Sequence, residues 1–461
     1  MNRLKEYEDL LQEIDSSVPA LENTLERAQS KRVHRQRMVR PIASVALAFV
    51  LFVVLVNFST PVAYACSKVP VLRELAEAVT FSRSLSDAVD NEYVQSICLA
   101  QEDGEVSASI EYLIVDQKQV NVFFKLFSDT YENLAVYPTV LEADGEHFAS
   151  CSYGLNEWDV PNGELQSLTI DFVEGDVPDS LRVKLGVQDM EIKHEAVEEA
   201  VPLENSEDFM FSDHTDEEIV YVAEFDFLLK FDPKFTATGK VLPINQTVLL
   251  EGQEITITQM EIYPTHLRVN IEDAAQNSAW LKDLDFYIET DWGMKFDTIS
   301  EGITATGAVD SPTMTSFRAD SSYFYEAKHL EIVITGAEWL KKDMEKVHVN
   351  LQTGETGQLP EGVSFYDAEL RSGGWLVKFK ADYRKPNHHH QLFSNTYYDA
   401  EGNEFEINSW FSEFGEADEN GEVIYFIEAF PLKGYTADEV WLRPHYSHVW
   451  TAQEPVVVQV Q

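Results

Sequence analysis

Cysteine is nearly absent: Cys66, Cys98 and Cys151 are the only three in 461 residues. That is too few to close a disulfide framework, so stability must come from packed cores. Positive charge is scarce as well. Lys and Arg number 34 against 80 Asp and Glu, a formal net charge of −46. A surface of that sign repels nucleic acid and anionic polymers and attracts cations or basic partners. The chain has no Gly-x-Ser-x-Gly elbow, no Gly-x4-Gly-Lys-Ser/Thr phosphate loop and no Cys-x2-Cys pair, and His194-Glu195-Ala196-Val197-Glu198 lacks the second histidine of a zinc-protease helix. With those signatures missing, the sequence predicts no enzyme, no cofactor and no nucleic-acid partner.

One long apolar run is present. From Ile42 to Val56 only Ser44 interrupts it, and extension through Pro61, Val62, Ala63 and Ala65 brings it to the roughly 20 residues that cross a bilayer core. Lys31, Arg32, Arg35, Arg37 and Arg40 precede the run, while only Lys68 and Arg73 follow closely. By the positive-inside rule the N-terminus is cytoplasmic and the remainder extracellular. A cleaved signal peptide is the competing reading, because Ala63-Tyr64-Ala65 resembles a small-x-small cleavage site ahead of Cys66. Against it, 40 residues with their own helical pattern precede the run, and Tyr64 fits poorly before a lipidated cysteine. We therefore expect a retained anchor. The first 40 residues hold eight basic and seven acidic side chains, so nearly all the negative charge belongs to the exterior.

Within the cytoplasmic segment Leu4, Tyr7, Leu11, Ile14, Val18, Leu21, Leu25 and Ala28 recur at alternating steps of 3 and 4, the stripe of an amphipathic helix. Pro19 divides it into two helices, the second with Pro19 in its first turn. A stripe this short cannot bury itself. It needs a partner helix, a second copy or the inner membrane surface, and a cytosolic protein partner makes Leu4, Tyr7, Leu11, Ile14, Val18, Leu21 and Leu25 the binding residues. Beyond the membrane, Lys68 to Val89 reads as helical, with Val71, Leu72, Leu75, Val79, Leu85, Ala88 and Val89 on one face.

The exterior is an internal repeat. Gly104, Gly252 and Gly362 each open a strand pattern, and hairpin glycines follow at Gly145, Gly293 and Gly402, at spacings of 41, 41 and 40 residues. In each copy a phenylalanine (Phe148, Phe296 or Phe405) stands three residues after the hairpin glycine. Between these marks lie strands of period two, such as Val120, Val122, Phe124 and Leu126 in the first copy and Trp375, Val377, Phe379 and Ala381 in the third. Period two means one buried face. Short strands with frequent turn signals predict an antiparallel β-sandwich in each copy. An acidic stretch from Glu191 to Glu218 reads as a solvated loop, and Val220, Val222, Phe225, Phe227 and Leu229 as a strand completing the first module.

His388-His389-His390 is a metal-binding candidate by residue type, but beside Pro386 and Asn387 it reads as an exposed loop. Glu416, Asp418, Asn420 and Glu422 contain a fragment of a calcium loop without the bidentate glutamate at its twelfth position, so a hairpin turn is the better account. We expect no metal site. The abundant tryptophans of the second and third copies, Trp280, Trp292, Trp339, Trp375, Trp410, Trp441 and Trp450, are expected mostly in sandwich cores; exposed ones suggest glycan or peptide contacts.

The stretches SKVPVLREL, SLSDAVDNEYVQSI and KVLPINQTVLLEGQEITITQMEIYPTHLRVNI resemble a family of bacterial single-pass membrane proteins. That family is common in Gram-positive spore-formers, has an ectodomain labelled only as a domain of unknown function, and is described as anti-sigma-factor-like. The resemblance runs from about residue 15 to about 340; the last module enters it through the repeat. It implies an extracytoplasmic sensor or stalk tied to an alternative sigma factor. Zinc-containing anti-sigma domains carry His-x3-Cys-x2-Cys, whereas this segment has His34 and no cysteine, so any sigma contact falls to the Leu4–Ala28 stripe, docking as amphipathic helices. The expected architecture is mainly β. It comprises a cytoplasmic helical segment at 1–40, a transmembrane helix at 41–61, a juxtamembrane helical region at 62–100, and three tandem Ig-like antiparallel sandwiches at 101–245, 246–345 and 355–461. The expected partners are the lipid bilayer, a sigma factor or other cytosolic regulator, and an envelope ligand or cell-wall component.

Overall fold

A computed structural model of the chain describes residues 72–148, 151–155, 159–173, 175–190, 220–236, 238–299, 303–307, 312–383, 391–415 and 423–460. The stripe at Leu4–Ala28, the run at 41–61 with its flanking basic residues, the acidic stretch 191–218, His388–His390 and the turn at 416–422 lie outside the described residues. Among the described residues no helix is long and apolar enough to cross a membrane.

The expected single helix after the apolar run is two short ones, α1 (Leu72–Ala78) and α2 (Arg83–Asp90). The break has a local cause. Thr80 Oγ1 bonds back to Glu77 O at 2.9 Å, and Ser82 adopts extended backbone and accepts from Leu85 N, capping α2. Short hydroxyl side chains compete with the helix ladder in the interior and stabilise its start.

The first module comprises β1 (Gln95–Asp103), β2 (Val106–Val115), β3 (Gln119–Ser128), β4 (Asn133–Glu142), β5 (Cys151–Leu155), β6 (Asp159–Pro161), β7 (Gln166–Phe172), β8 (Ser180–Asp189) and β9 (Ala223–Lys230). They form two antiparallel sheets ordered β1-β2-β3-β7-β5 and β6-β4-β8-β9 around one apolar core. Ala223, Phe225, Phe227 and Leu229 of β9 point into that core and alternate with exposed residues, the period expected of a strand with one buried face. The outer strands also touch through side chains. Gln101 Nε2 donates to Asp226 O at 2.7 Å while Asp226 N donates to Gln101 Oε1 at 3.1 Å, and Gln95 makes the same pair of bonds to Lys230 O and Asp232 N. These amides satisfy backbone groups that an open sheet edge leaves bare.

The second module repeats the plan with β10 (Lys240–Leu250), β11 (Gln253–Ile262), β12 (Leu267–Asp273), β13 (Ala279–Thr290), β14 (Lys295–Asp297), β15 (Ala305–Gly307), β16 (Met314–Ala319) and β17 (Leu330–Lys341). The third holds β18 (Val347–Asn350), β19 (Val363–Arg371), β20 (Gly374–Asp382), β21 (Phe393–Tyr398), β22 (Glu404–Glu406), β23 (Phe411–Phe414), β24 (Tyr425–Lys433) and β25 (Glu439–Pro444), and the chain ends in β26 (His448–Val460). Their sheets run β10-β11-β12-β16-β15 and β14-β13-β17-β26, then β19-β20-β24-β23 and β18-β25-β21-β22. All three hairpin glycines behave alike. Gly145, Gly293 and Gly402 have φ of 99°, 83° and 84°, and each N–H closes a turn onto Glu142, Thr290 or Asp399. Positive φ is what makes glycine the residue for these turns.

Two boundaries differ from the sequence reading. β1 begins at Gln95, inside the stretch expected to be helical. More consequentially, β26 pairs with β17, from Leu330↔Val460 to Trp339↔His448, so the final strand belongs to the second module and the third, beginning at β18, is inserted between β17 and β26. Ser447 marks the return: its N–H donates to Trp339 O at 2.6 Å and its Oγ accepts from Lys341 N at 3.0 Å. Local pattern cannot assign β26. Alternating valines at 456, 458 and 460 suit any sheet edge, and only pairing distinguishes them.

A buried acid sits in the third core. Glu428 of β24 is fully buried, one carboxylate oxygen accepting from Leu392 N at 2.9 Å and the other without a hydrogen-bond partner. Its strand neighbours are Phe379 and Ser412, and burial pushes its carboxyl up to about 7 from 4.5. Stability from this group is therefore fully present below pH ~4.5 and lost as pH rises through ~7, to the extent of about 3 kcal/mol. We expect Glu428→Gln to be more stable than the parent at pH 8 and nearly equal to it at pH 5 in denaturant melts; parallel pH profiles would refute this.

Candidate functional site

The densest polar cluster joins the first module to the second. It begins in the β2–β3 turn, where Asp116 Oδ1 accepts from Lys118 N and Gln119 N, both at 2.8 Å, and so locks its own turn. Its Oδ2 reaches into the β11–β12 turn of the next module, accepting from Thr265 N at 3.1 Å and Thr265 Oγ1 at 2.6 Å. His266 continues the chain, with Nδ1 at 2.9 Å from Thr265 Oγ1 and Nε2 at 2.9 Å from Arg268 Nε. Arginine only donates, so the imidazole accepts on Nε2 and carries its proton on Nδ1. Burial, reinforced by Arg268 and Arg318, holds His266 well below its ordinary pKa, which agrees with that neutral form.

Asp171, at the end of β7, is the anion of the cluster. Arg268 of β12 donates to its Oδ1 through Nη2, and Arg318 of β16 donates to its Oδ2 through Nε at 2.7 Å. Asp116, Asp171, Thr265, His266, Arg268 and Arg318 are each at most 4% exposed. Burial raises the pKa of Asp116 and lowers that of Arg318.

Thr265, His266 and Asp116 have the composition of a nucleophile, base and acid, but their order of donation is wrong for it. The hydroxyl proton goes to the carboxylate and the imidazole donates to the hydroxyl, so His266 is unable to take the proton a nucleophile must lose. The cluster is a hydrogen-bonded joint.

The two helices bind across the same junction. Leu75 and Val79 around α1, with Leu85, Ala88 and Val89 of α2, pack on Tyr112, Ile114, Phe123 and Leu165 of the first module. Positions 85, 88 and 89 follow the i, i+3, i+4 rule for one helix face. The other side of α2 faces the second module. Arg83 donates to Lys295 O at 2.7 Å and lies with its guanidinium carbon 4.5 Å from the Phe296 ring centre. Ser84 donates through N and Oγ to Asp320 Oδ1 at 3.1 and 2.9 Å, and accepts from Ser321 N at 2.7 Å. Tyr325 OH donates to Asp87 Oδ1 at 2.9 Å. Burial raises the carboxyls of both Asp87 and Asp320. We call this arrangement the latch.

The stripe residues and the basic flank lie outside the described residues, so nothing brings them together with this site. Sequence reasoning found the apolar face of the latch and missed its polar face, as well as the whole Asp116–Asp171 joint. A signal was available. SLSDAVDNEYVQSI holds Ser84 and Asp87, and YPTHLRVNI holds Thr265, His266 and Arg268, so two of the stretches that carry the family resemblance are junction residues. Of the tryptophans, Trp339 and Trp375 are core, Trp280, Trp410, Trp441 and Trp450 are half-buried, and Trp292 is 50% exposed. Among the described residues no group of three or more His, Cys, Asp or Glu is placed to hold a metal.

Removing the Asp171 charge leaves two arginines buried without it, the costly way to break a buried ion pair. We expect Asp171→Asn to destabilise the paired modules by about 3–5 kcal/mol, read as a lower denaturation midpoint; an unchanged midpoint would show that the arginines are compensated elsewhere.

Residues 33–128 match the model of a domain of unknown function, DUF4179, and residues 239–361 that of a second family of unknown function, DUF5643. The first takes in the apolar run, both latch helices and β1 to β3; the second takes in β10 to β18 and leaves out β26. No curated protein matches. A solved crystal structure, that of the conserved domain protein from Bacillus anthracis, is 14% identical with a TM-score of 0.38, over 57% of this chain and 84% of that one.

Proposed function

We propose that this chain is a single-pass, non-enzymatic membrane signalling protein. Its modules sense an envelope condition or ligand outside the cell, and its cytoplasmic stripe holds a cytosolic regulator, with a sigma factor as the specific candidate. The observation that carries this reading is the latch. α1 is the first described element after the apolar run, and α2 grips both neighbouring modules, one by apolar packing and the other by Arg83, Ser84 and Asp87. A change in how those two modules meet is therefore felt first by the segment that continues from the membrane. An element with two partners and a direct covalent path to the bilayer has the layout a signal needs.

The Asp116–Asp171 joint favours a second reading, a surface stalk that binds the cell wall. Buried pairs of this kind fix one arrangement of two modules, which suits a rigid spacer. In that case residues 1–40 only anchor or dimerise.

A pull-down of detergent-solubilised full-length protein, compared with a version lacking residues 2–30, separates the two. Signalling predicts a sigma factor or other regulator bound only to the full chain and lost in Leu11→Asp/Leu21→Asp, with the ectodomain unaltered. Recovery of nothing, or only of the chain itself, favours the stalk. For the latch, Arg83→Ala is expected to change basal transcriptional output while leaving regulator capture intact. Unaltered output would place the coupling elsewhere.

A further inference from the structure

The repeat shows what the third module is missing. In the first module β1 covers the outer edge of β2, and in the second β10 covers β11 in the same antiparallel manner. Their counterpart β19 has no such cover: its sheet starts at β19. The segment ahead of it is used on the other sheet, where Asn350 N donates to Glu355 O at 2.8 Å, Gly357 N donates to His348 O at 2.8 Å, and Val349 bridges Thr356. From Phe365 to Leu370, β19 makes no backbone hydrogen bond to any strand but β20 among the described residues.

The core records the same vacancy. Val106, Ala108 and Ile110 of β2 are at most 2% exposed, and Ile255, Ile257 and Met260 of β11 at most 1%. On β19 the corresponding face is half open: Val363, Phe365 and Ala368 are only partly buried, and Leu370, paired with the core residue Trp375, is 51% exposed. Tyr366, at the register shift between Phe365 and Asp367, is 57% exposed. Open backbone groups next to uncovered apolar side chains are the two components of β-strand addition, in which the main chain gives affinity and alternate side chains give selectivity.

We propose that the β19 edge is an acceptor for an extended peptide strand in which apolar residues alternate with Lys or Arg, supplied by a partner protein. Charge selects this occupant. Asp367 and Glu369 are exposed in mid-strand, and the chain carries −46. A second copy pairing edge to edge would set these carboxylates near their own duplicates, and like charges across a strand pair are destabilising. A basic strand meets them favourably. Arg371 lies 2.8 Å from Glu369, and Lys378 of β20 stands across the strand pair from Asp367. The slot is open in a sensor and in a stalk alike, so the inference goes beyond the signalling reading.

The probe is a synthetic peptide alternating Lys with Val and Thr, added to the full chain in detergent, with hydrogen exchange followed over residues 363–371. The expected result is fast exchange in the free protein at the alternate β19 amides that point away from β20, protection of those amides on adding the peptide, and binding about tenfold weaker when Glu replaces Lys in the peptide. Asp367→Lys/Glu369→Lys should reverse that preference. Three results would overturn the proposal: the outward-pointing β19 amides already protected in the free protein, which means the edge is covered by a second copy or another segment; equal binding of the two peptides; or no protection by either.

Discussion

A single carboxylate, that of Asp171, sets the relation between the first two modules. It stands at the end of one sheet and is shared by two arginines from the next module, all three buried. An exposed pair of this kind contributes little, because water and salt screen it and the side chains lose entropy. Burial changes that balance. Each arginine has given up its hydration, so the arrangement holds only while Asp171 occupies its place, and small displacements of one module against the other are resisted by desolvated charge. Asp116, bonded at once to its own turn and to Thr265, adds a second fixed point within the same interface.

With the junction fixed, the latch acquires its meaning. α2 is too short to be stable by itself, and its two faces are held by two different modules. The apolar face would persist on the first module alone. The Arg83, Ser84 and Asp87 face exists only where the second module presents Phe296, Asp320 and Tyr325 in the right place. Latch and joint thus depend on the same geometry, and loosening the joint would take from α2 the partners of its polar face.

Much of the fold was legible in the sequence. Gly145, Gly293 and Gly402 announced three equivalent hairpins because positive φ leaves few alternatives to glycine, and period-two alternation located most strands. The stretch Val220–Leu229 was recognisable as the completing strand of its module. Three things were not. The break between α1 and α2 turns on the local bonds of Thr80 and Ser82, below the resolution of periodicity. The placement of β26 depends on pairing across an inserted module. Arg268 and Arg318 read as ordinary outward residues of alternating strands, since a strand pattern says which face a residue takes but not whether another module will cover that face.

That last point bears on the chain's acidity. A covered face tolerates arginine only where carboxylates meet it, and the first two modules meet in this manner. The third is joined differently, by the paired β17 and β26 and by Ser447, which bonds Trp339 and Lys341. Its first sheet is also the one lacking an outer strand. The repeat was thus modified at two levels: the second module takes its last strand from beyond the inserted one, and the inserted one leaves its first edge unfilled. On a surface of net charge −46, an unfilled edge bearing Asp367 and Glu369 is guarded against copies of the same chain by like charge and remains open to strands of the opposite sign.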